Sequence, residues 1–475
     1  MNLSTKVGSF ALSNPFIAAS GTYGYGTEYG DLSPAKEWGA VILKSVSKNP
    51  RPGNVPPRCC ETDSGMINSI GLANVGLEKY MAEKLPAFAS ANPDAVCIAS
   101  LAGETLDEFL HLAEKLSGNS TIKAFELNIS CPNVAKGGMH FGADCSASRQ
   151  LVQEVKKISS VPVWVKVTPS TTDPVGVASV CAEAGADAVV ATNTIPAMKI
   201  DITRCRPALG NTFGGLSGPA IFPASLRIAY MIHRALPQLP LIGCGGVDCG
   251  EKAVQYILAG CSAVEIGTAT FRRPDTLAEV KQFLKNYMEA SHKASVVCGG
   301  LTHPDEIPQK GQELRYLYEK NAAFERSAGF RSQNPYLRFT SFSFLIGREE
   351  FMKIRFDETY VRYGYEDVQF GHELEANGVS ILHIDNPLAH IGLDDSASYL
   401  NKTRQAVHNA FDHKEGIGDS SKLLTNYNKV KSLRMRWVFR FIWAFFQKSM
   451  ERNLLGPKPK LKIFSLYKLC YICVL

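Results

Sequence analysis

The segment 128–133, of sequence NISCPN, contains the side chain of this sequence best suited to chemistry, Cys131. A lone cysteine is more often inert core, but this one follows the end of an apolar run, stands among polar residues and precedes a proline. A thiolate in such a place can act as a nucleophile or a general base. No serine, threonine or cysteine forms a recognisable triad with histidine and aspartate, and Asn128 and Asn133 flank the cysteine. We therefore predict that Cys131 removes a proton from a planar polar ring.

Two lysines near the ends of apolar runs, Lys44 and Lys166, are further candidates. Core packing does not explain them, because an unpaired ammonium group is costly to bury. Structural ion pairs are the alternative to a functional role. We predict that both lysines face a bound ligand.

Glycines cluster after the seventh and eighth apolar runs, at Gly245, Gly246 and Gly267, the last followed by Thr268. Glycines let backbone N–H groups approach a phosphate closely, and the corresponding loops of parallel α/β barrels often hold one. Tight turns would explain one such glycine more easily than the set. A phosphorylated ligand is therefore predicted.

The elements that must position these residues are eight short apolar runs, which alternate with stretches of helical character. The runs are Pro15–Ser20, Ala40–Val46, Ala95–Leu101, Lys123–Ser130, Pro162–Thr168, Asp187–Thr192, Pro240–Cys244 and Ala263–Gly267. Eight such units over roughly 270 residues match the length of a (β/α)8 TIM barrel, whose strands carry the active site at their carboxyl ends. An open, doubly wound sheet is the alternative.

Several ordered segments of residues 1–301 form a recognisable set: NP at 14–15, ASGT at 19–22, KSV at 44–46, GMINSIGL at 65–72, the Cys131 motif with KGG at 136–138, and GGLSGP at 214–219. Through these segments, residues 1–301 resemble the dihydroorotate dehydrogenases, and among them the class that passes electrons to NAD through a partner subunit. The resemblance implies an FMN-binding barrel that oxidises dihydroorotate to orotate in pyrimidine biosynthesis. In it, Cys131 would take the C5 proton while a hydride leaves C6 for the flavin.

The resemblance also implies the contacts of substrate and cofactor. Substrate contacts would be Lys44, Asn68, Ser69, Ile70, Gly71, Leu72, Asn128, Asn193 and Thr194. FMN contacts would be Ser20, Gly21, Lys44, Ser45, Ser100, Asn128, Lys166, Thr192, Gly218, Gly245, Gly246, Gly267 and Thr268. Lys166 would stabilise negative charge on the reduced ring. Where the family usually has asparagine, this chain has Ser100, a shorter side chain.

Implied partners are a separate subunit carrying FAD and a [2Fe–2S] cluster, with NAD as final acceptor, and a homodimer within a heterotetramer. The KGG segment at 136–138 favours this class over the fumarate-linked enzymes, which remain the alternative. Asn133 argues against the related dihydropyrimidine dehydrogenases, which commonly have histidine there. No nucleic-acid partner and no metal ligand set are predicted.

The net charge of +6 is unevenly distributed over the 475 residues. Residues 422–468 hold twelve Lys or Arg residues and a single acid, Glu451. The start of the chain lacks a signal-peptide pattern, and no segment offers about 18 uninterrupted apolar residues. Thirteen cysteines without metal-site spacing suit a reducing compartment. We expect a cytoplasmic protein.

The last third of the chain resembles a different family from residues 1–301. After a junction at 302–312, residues 313–420 resemble the C-terminal half of family-2, GT-A-type glycosyltransferases, through NPY at 334–336, GYED at 364–367 and HIDNP at 383–387. Glu366, Asp367 and His390 would be a vestigial site, with Asp367 as candidate base. The preceding nucleotide-binding half of that fold is absent, so we expect no independent sugar transfer. A bifunctional fusion is the alternative.

The basic, aromatic tail, residues 421–475, contains the segment Trp437–Phe446 flanked by arginines and lysines. This composition is typical of a helix lying on an anionic membrane surface, here the inner face. A helix buried within the last module is the alternative.

Overall fold

Eight parallel strands close into a barrel in the first part of the chain. They are β1 Phe16–Ala18, β2 Ala40–Ile42, β3 Cys97–Leu101, β4 Ile122–Asn128, β5 Val163–Lys166, β6 Ala188–Ala191, β7 Leu241–Cys244 and β8 Ala263–Ile266. Each strand pairs with the next in chain order, and β8 pairs with β1, with Ile266 opposite Ala18. The (β/α)8 prediction is confirmed, and the open-sheet alternative is wrong because the sheet has no edge.

The computed structural model describes residues 3–129, 141–142, 144–302, 309–390, 393–417 and 421–475. These residues divide into two compact units, 1–284 and 285–475. Cys131, together with the KGG segment at 136–138, lies outside the described residues.

Helices follow most of the strands. They are α1 Leu106–Leu116, α2 Cys145–Ile158, α3 Pro174–Glu183, α4 Phe222–Ala235, α5 Gly250–Leu258 and α6 Thr276–Ser291, with shorter helical turns at Gly30–Leu32, Ala35–Glu37, Gly76–Lys79, Tyr80–Lys84, Leu85–Ala91, Pro219–Ile221 and Ala269–Arg272. In α1, Phe109, Leu112 and Leu116 are buried at helical spacing, which places one apolar face on the barrel. The helix begins where the Thr105 side chain accepts a hydrogen bond from the Glu108 N–H.

Side chains inside the barrel change from apolar to polar along the strands. A buried apolar cluster contains Ile17, Ile42, Ile98, Ala124, Trp164, Ile242 and Ala263, together with Val7 and Leu12 from the hairpin Thr5–Val7/Phe10–Leu12. Because alternate residues of a strand face the same side, the residues two positions further on also point inward. These are Ala19, Lys44, Ser100, Glu126, Lys166, Cys244 and Glu265. The polar layer is the floor of the candidate site.

A four-stranded antiparallel sheet lies among the loops after the strands. Its order is Ile195–Met198, Phe213–Ser217, Gly65–Asn68, Cys59–Thr62, and a two-stranded ribbon joins Ile200–Asp201 to Arg206–Pro207. Asn68 is opposite Gly215 in this sheet. The sheet therefore brings the GMINSIGL and GGLSGP segments together.

The second unit contains a three-stranded sheet with β9 Val296–Cys298 at its centre, antiparallel to β10 Phe344–Ile346 and parallel to β11 Ile381–His383, and a strand pair Leu301–Thr302/Leu388–Ala389. Its helices are α7 Glu313–Asn321, α8 Glu366–Ala376, α9 Ser396–Asp412, α10 Lys422–Ser432, α11 Arg436–Leu454 and α12 Leu461–Val474, with short helices at Ala323–Arg326, Ala328–Arg331, Arg348–Lys353 and Lys414–Ile417. Within the described residues, no helix is long and apolar enough to cross a membrane.

The boundary between the units differs from the expected one at 301–302. The division falls at 284/285. The physical reason is that β9 finds its pairing partners in β10 and β11, which follow it by many residues. Residues 296–298 therefore belong to the second unit and not to the barrel.

Candidate active site

A cavity of about 940 Å³ opens at the carboxyl ends of the barrel strands. Nearly all of the residues predicted to bind substrate or cofactor line it: Ser20, Gly21, Lys44, Ser45, Asn68, Ser69, Ile70, Gly71, Leu72, Asn128, Lys166, Thr192, Asn193, Thr194, Gly218, Gly245, Gly246, Gly267 and Thr268. Their convergence follows from the parallel barrel, in which every strand ends at the same rim. Residues from almost every strand end thus meet around one space.

Ser100 is the exception among the described residues. Its side chain is completely buried and does not line the cavity, so the direct cofactor contact implied for it stays a prediction. The side chain is short, and its hydroxyl lies 2.8 Å from the Ser45 hydroxyl. Ser45 in turn lies 3.1 Å from Ser20. Ser100 therefore acts as a support for two hydroxyl groups that reach the cavity.

Lys166 occupies the floor of the cavity between two buried carboxyl groups. Its Nζ lies 2.5 Å from Glu265 Oε2 and 3.3 Å from Glu126 Oε2, and both acids have fully buried side chains. Burial alone would lower the pKa of the lysine, but Cys244, Glu126 and Glu265 outweigh it and raise that pKa well above its usual value. Lys166 is therefore a permanent positive charge at this position.

Lys44 presents a different kind of ammonium group. It is half-buried in the cavity wall, and burial lowers its pKa, an effect that Glu28 partly opposes. Its Nζ forms no hydrogen bond or salt bridge with any residue that the structure describes. A half-buried cation of this kind is suited to an anionic ligand.

Amide side chains surround the upper part of the cavity. Asn193 Nδ2 lies 3.3 Å from Asn128 Oδ1, and Asn193 Oδ1 accepts a hydrogen bond from the Thr194 N–H at 2.7 Å. Asn68 Nδ2 donates to the carbonyl of Gly215 at 3.2 Å. These bonds orient amide donors and acceptors around a space where a planar polar ring could lie.

The loop after β7 passes directly against the first residue of α4. Gly246 has φ of +77°, and a Cβ built on it would lie 2.8 Å from the backbone nitrogen of Phe222. Only glycine fits there, because the obstacle is backbone and the conformation is left-handed. The close approach brings the loop backbone to the cavity, next to Gly267 and Thr268 from the loop after β8.

Sequence reasoning missed Glu126 and Glu265 beneath the floor. Each is an acid inside an apolar strand, the same signal that singled out Lys44 and Lys166. It also missed the wall residues Met66 and Phe213 from the antiparallel sheet, and Asn211 from the turn before one of its strands. Those residues have no shared sequence signal, since their placement depends on strand pairing far along the chain.

Two of the three candidates in the second unit, Asp367 and His390, contact the segment 340–342. Asp367, at the start of α8, hydrogen-bonds to Ser341 and Thr340, and burial raises the pKa of its carboxyl group despite those bonds. The His390 ring packs against Phe342, and its Nδ1 lies 3.4 Å from Glu319 Oε1. Glu366 precedes Asp367, and its Oε2 has no hydrogen-bond partner in the described part of the chain.

Comparison with known proteins places most of this chain. The sequence model of the dihydroorotate dehydrogenase family matches residues 2–288. The catalytic subunit of dihydroorotate dehydrogenase B (NAD(+)) from Carboxydothermus hydrogenoformans is 42% identical over 307 residues, which cover 64% of this chain and 99% of that protein.

Two further catalytic subunits of the same name are similar to this chain. The one from Pelobacter propionicus is 42% identical over 295 residues, covering 62% of this chain and 96% of its own. The one from Thermoanaerobacter pseudethanolicus is 43% identical over 289 residues, covering 61% and 94%. A family match over more than half of the chain, on the residues that build the barrel and its cavity, shows that this chain belongs to the dihydroorotate dehydrogenase family.

Proposed function

We propose that this chain catalyses the oxidation of dihydroorotate to orotate, a step of pyrimidine biosynthesis, as the catalytic subunit of an NAD-linked enzyme. The observation that carries the proposal is that the family match, residues 2–288, coincides with the barrel whose mouth gathers the lysines, amides and glycine loops. The relatives are named as catalytic subunits of dihydroorotate dehydrogenase B (NAD(+)).

The cavity fits FMN by its donors. The close approach of the Gly246 loop to α4, next to Gly267, suits a phosphate. Lys166 supplies a fixed positive charge for the ring, while Ser20 and Ser45 supply hydroxyl groups. When bound, FMN supplies the two-electron acceptor for the hydride that leaves the substrate.

The remaining groups bind and orient the substrate. Asn68, Asn128 and Asn193 would hydrogen-bond the ring, and the backbone of residues 69–72 with Lys44 would hold the carboxylate. Thr194 would complete the set. As the sequence resemblance implies, Cys131 would then accept the proton from C5.

The electrons would leave through a separate subunit that carries FAD and a [2Fe–2S] cluster, and reach NAD there. The words "catalytic subunit" in the relatives' names support such a partner. A homodimer within a heterotetramer would be the working assembly. A fumarate-linked enzyme is the alternative outcome.

Cofactor analysis and activity assays on the full-length protein test this proposal. Its released cofactor is identified by chromatography, and dihydroorotate oxidation is measured with an artificial acceptor, fumarate, quinone and NAD, with and without an electron-transfer subunit. We expect the released cofactor to be FMN. We also expect NAD to be reduced only when the electron-transfer subunit is present. Fumarate reduction without a partner would favour the alternative, and a protein without FMN would refute the proposal.

Replacing Gly246 by alanine tests the phosphate loop. We expect FMN affinity to fall by about tenfold or more, since left-handed strain of roughly 1–2 kcal/mol adds to a clash with Phe222. Fluorescence titration of the apoprotein with FMN measures this affinity. The control is Gly118→Ala, whose φ of +82° is equally strained but whose Cβ would meet nothing within 4 Å. Equal affinities for the two variants would contradict the assignment.

We propose that the second unit takes no part in the dehydrogenase reaction and does not transfer sugars. The resemblance to glycosyltransferases covers only the half without a nucleotide-binding site, so Asp367 would face no donor sugar. The test is incubation of full-length protein with UDP- and GDP-sugars plus Mn²⁺ or Mg²⁺. Transfer to an acceptor would instead establish a bifunctional enzyme.

We further propose that the tail attaches the protein to the inner face of the membrane. In α11, Trp437, Phe441 and Phe445 are 71%, 55% and 69% exposed, and they repeat every four residues on one face. Arg440 and Lys448 are exposed on the same helix. Aromatic rings and cations on one face suit an anionic bilayer surface.

Sedimentation with vesicles tests this attachment. The double variant Trp437→Ala/Phe441→Ala is expected to bind anionic vesicles about tenfold or more weakly, since burying an aromatic ring contributes about 1.5–3 kcal/mol. Binding should also weaken as salt rises. The control is Phe324→Ala, which removes a ring 77% exposed elsewhere in the unit. Equal binding to neutral and anionic vesicles would contradict the electrostatic part.

A further inference from the structure

Two acids share the buried site of one lysine beneath the cavity. Glu126 on β4 and Glu265 on β8 are both fully buried, and both contact the Lys166 ammonium on β5. Cys244 on β7, opposite Glu265 in the sheet, completes the groups around it. One positive charge therefore faces two potential negative charges, and both acids are fully buried beneath the cavity floor.

Electrostatics opposes two ionised carboxylates in this space. Both carboxyl groups contact the same ammonium, with Glu265 Oε2 2.5 Å and Glu126 Oε2 3.3 Å from Lys166 Nζ. Oε1 of each receives no hydrogen bond from another group in the described part of the chain. Two carboxylates that close cannot both ionise cheaply, and Lys166 balances only one of them. A single proton on the pair makes the cluster neutral and supplies the missing donor.

We propose that Glu126 and Glu265 hold one proton between them and act as positioning residues, fixing Lys166 beneath the cofactor and exchanging that proton when the cofactor changes charge. The proposal rests on the proposed function only for its redox part. The carboxyl pair is part of the folded chain whether or not a cofactor is bound.

The proton balance is as follows. Burial, with the neighbouring Glu265, raises the pKa of Glu126 to about 8, although Lys166 opposes the shift. Below that pH the pair keeps its proton, and the cluster of lysine, carboxylate and carboxylic acid is neutral. Above it the oxidised enzyme releases the proton to solvent. Reduction by two electrons then places negative charge over the floor, and one proton returns from solvent to the pair.

Infrared difference spectroscopy in H₂O and D₂O tests the pair without a redox step. The full-length protein at neutral pH should have the carbonyl band of a buried, protonated carboxylic acid. That band should be lost on titration above about pH 8, and in Glu126→Gln. The variant Glu265→Gln gives the same test should Glu126→Gln fail to fold. A wild-type protein without such a band, or a band that survives both substitutions, would overturn the proposal.

The reduction potential of the FMN-loaded protein tests the exchange. If the protein takes up one extra proton for every two electrons, its reduction potential falls by about 30 mV more per pH unit. The reason is that about 30 mV corresponds to a tenfold change in the equilibrium constant of a two-electron couple. We expect that extra slope above about pH 8 in the wild type, and not in Glu126→Gln. Identical slopes in the two proteins would overturn the exchange. Absence of bound FMN would instead refute the proposed function and leave the infrared result intact.

Discussion

Replacing Cys131 by alanine is expected to slow reduction of the bound flavin by dihydroorotate about 100-fold or more, the usual scale for losing a general base. The expectation rests on the sequence, in which the cysteine follows a strand whose last residue, Asn128, lines the cavity. Stopped-flow absorbance of the flavin, with dihydroorotate in excess, measures the rate. FMN content should be unchanged.

Serine at position 131 provides the matched control. Its hydroxyl group is a weaker base than a thiolate, so Cys131→Ser should retain some activity, more of it as pH rises. Cys59 also lines the cavity, so Cys59→Ala separates loss of a base from loss of any thiol there. Near-normal flavin reduction in Cys131→Ala would remove this residue from the mechanism.

Replacing Lys166 by methionine is expected to lower the free energy of unfolding by about 3–5 kcal/mol, because it leaves two buried carboxyl groups without their cation. The loss should be largest at high pH. Burial, with the neighbouring Glu265, already raises the pKa of Glu126, and removing the lysine removes the charge that opposes this shift, so the folded state binds more protons than the unfolded one. Its stability then falls as pH rises above the ordinary carboxyl pKa. Urea denaturation between pH 5 and 9 measures the effect.

A half-exposed ion pair is the control for this substitution. Lys156 lies 2.6 Å from Asp187, with side chains 29% and 32% exposed. Lys156→Met should cost only about 0–1 kcal/mol, since solvent screens the pair. Lys166→Met should also lower the reduction potential of bound FMN, which Lys156→Met should leave unchanged. Similar losses of stability in both variants would contradict a special role for the buried cluster.

The barrel could be predicted from the sequence because its signal is local. Seven of the eight strands fall within the predicted apolar runs and β4 begins one residue before its run, and most runs have residues at or near their ends that line the cavity. The antiparallel sheet could not be predicted. Its strands Gly65–Asn68 and Phe213–Ser217 are rich in glycine and pair across about 150 residues.

Two differences between expectation and structure have physical explanations of the same kind. Residues 296–298 were assigned to the barrel because the composition changes only after 301, whereas strand pairing puts them in the second unit. The family resemblance implied a cofactor contact for Ser100, whereas its short side chain is buried and its hydroxyl lies 2.8 Å from the Ser45 hydroxyl. Composition and periodicity depend on residues that are close in the chain. The placement of residues 296–298 and of Ser100 depends instead on contacts with residues far away in the chain.

The pairing of Ala18 with Ile266 has a consequence for biosynthesis. The first strand cannot acquire its second neighbour until roughly 250 further residues have left the ribosome, which takes about 12–50 s at usual elongation rates. During that time β1 remains an exposed strand edge beside apolar positions such as Ile17, a template for pairing with other nascent chains. Closing the barrel requires a contact between residues far apart in the sequence, so this step of folding after release is also slow. Yield of the native enzyme in a cell should therefore depend on chaperones that bind the unfinished barrel during translation.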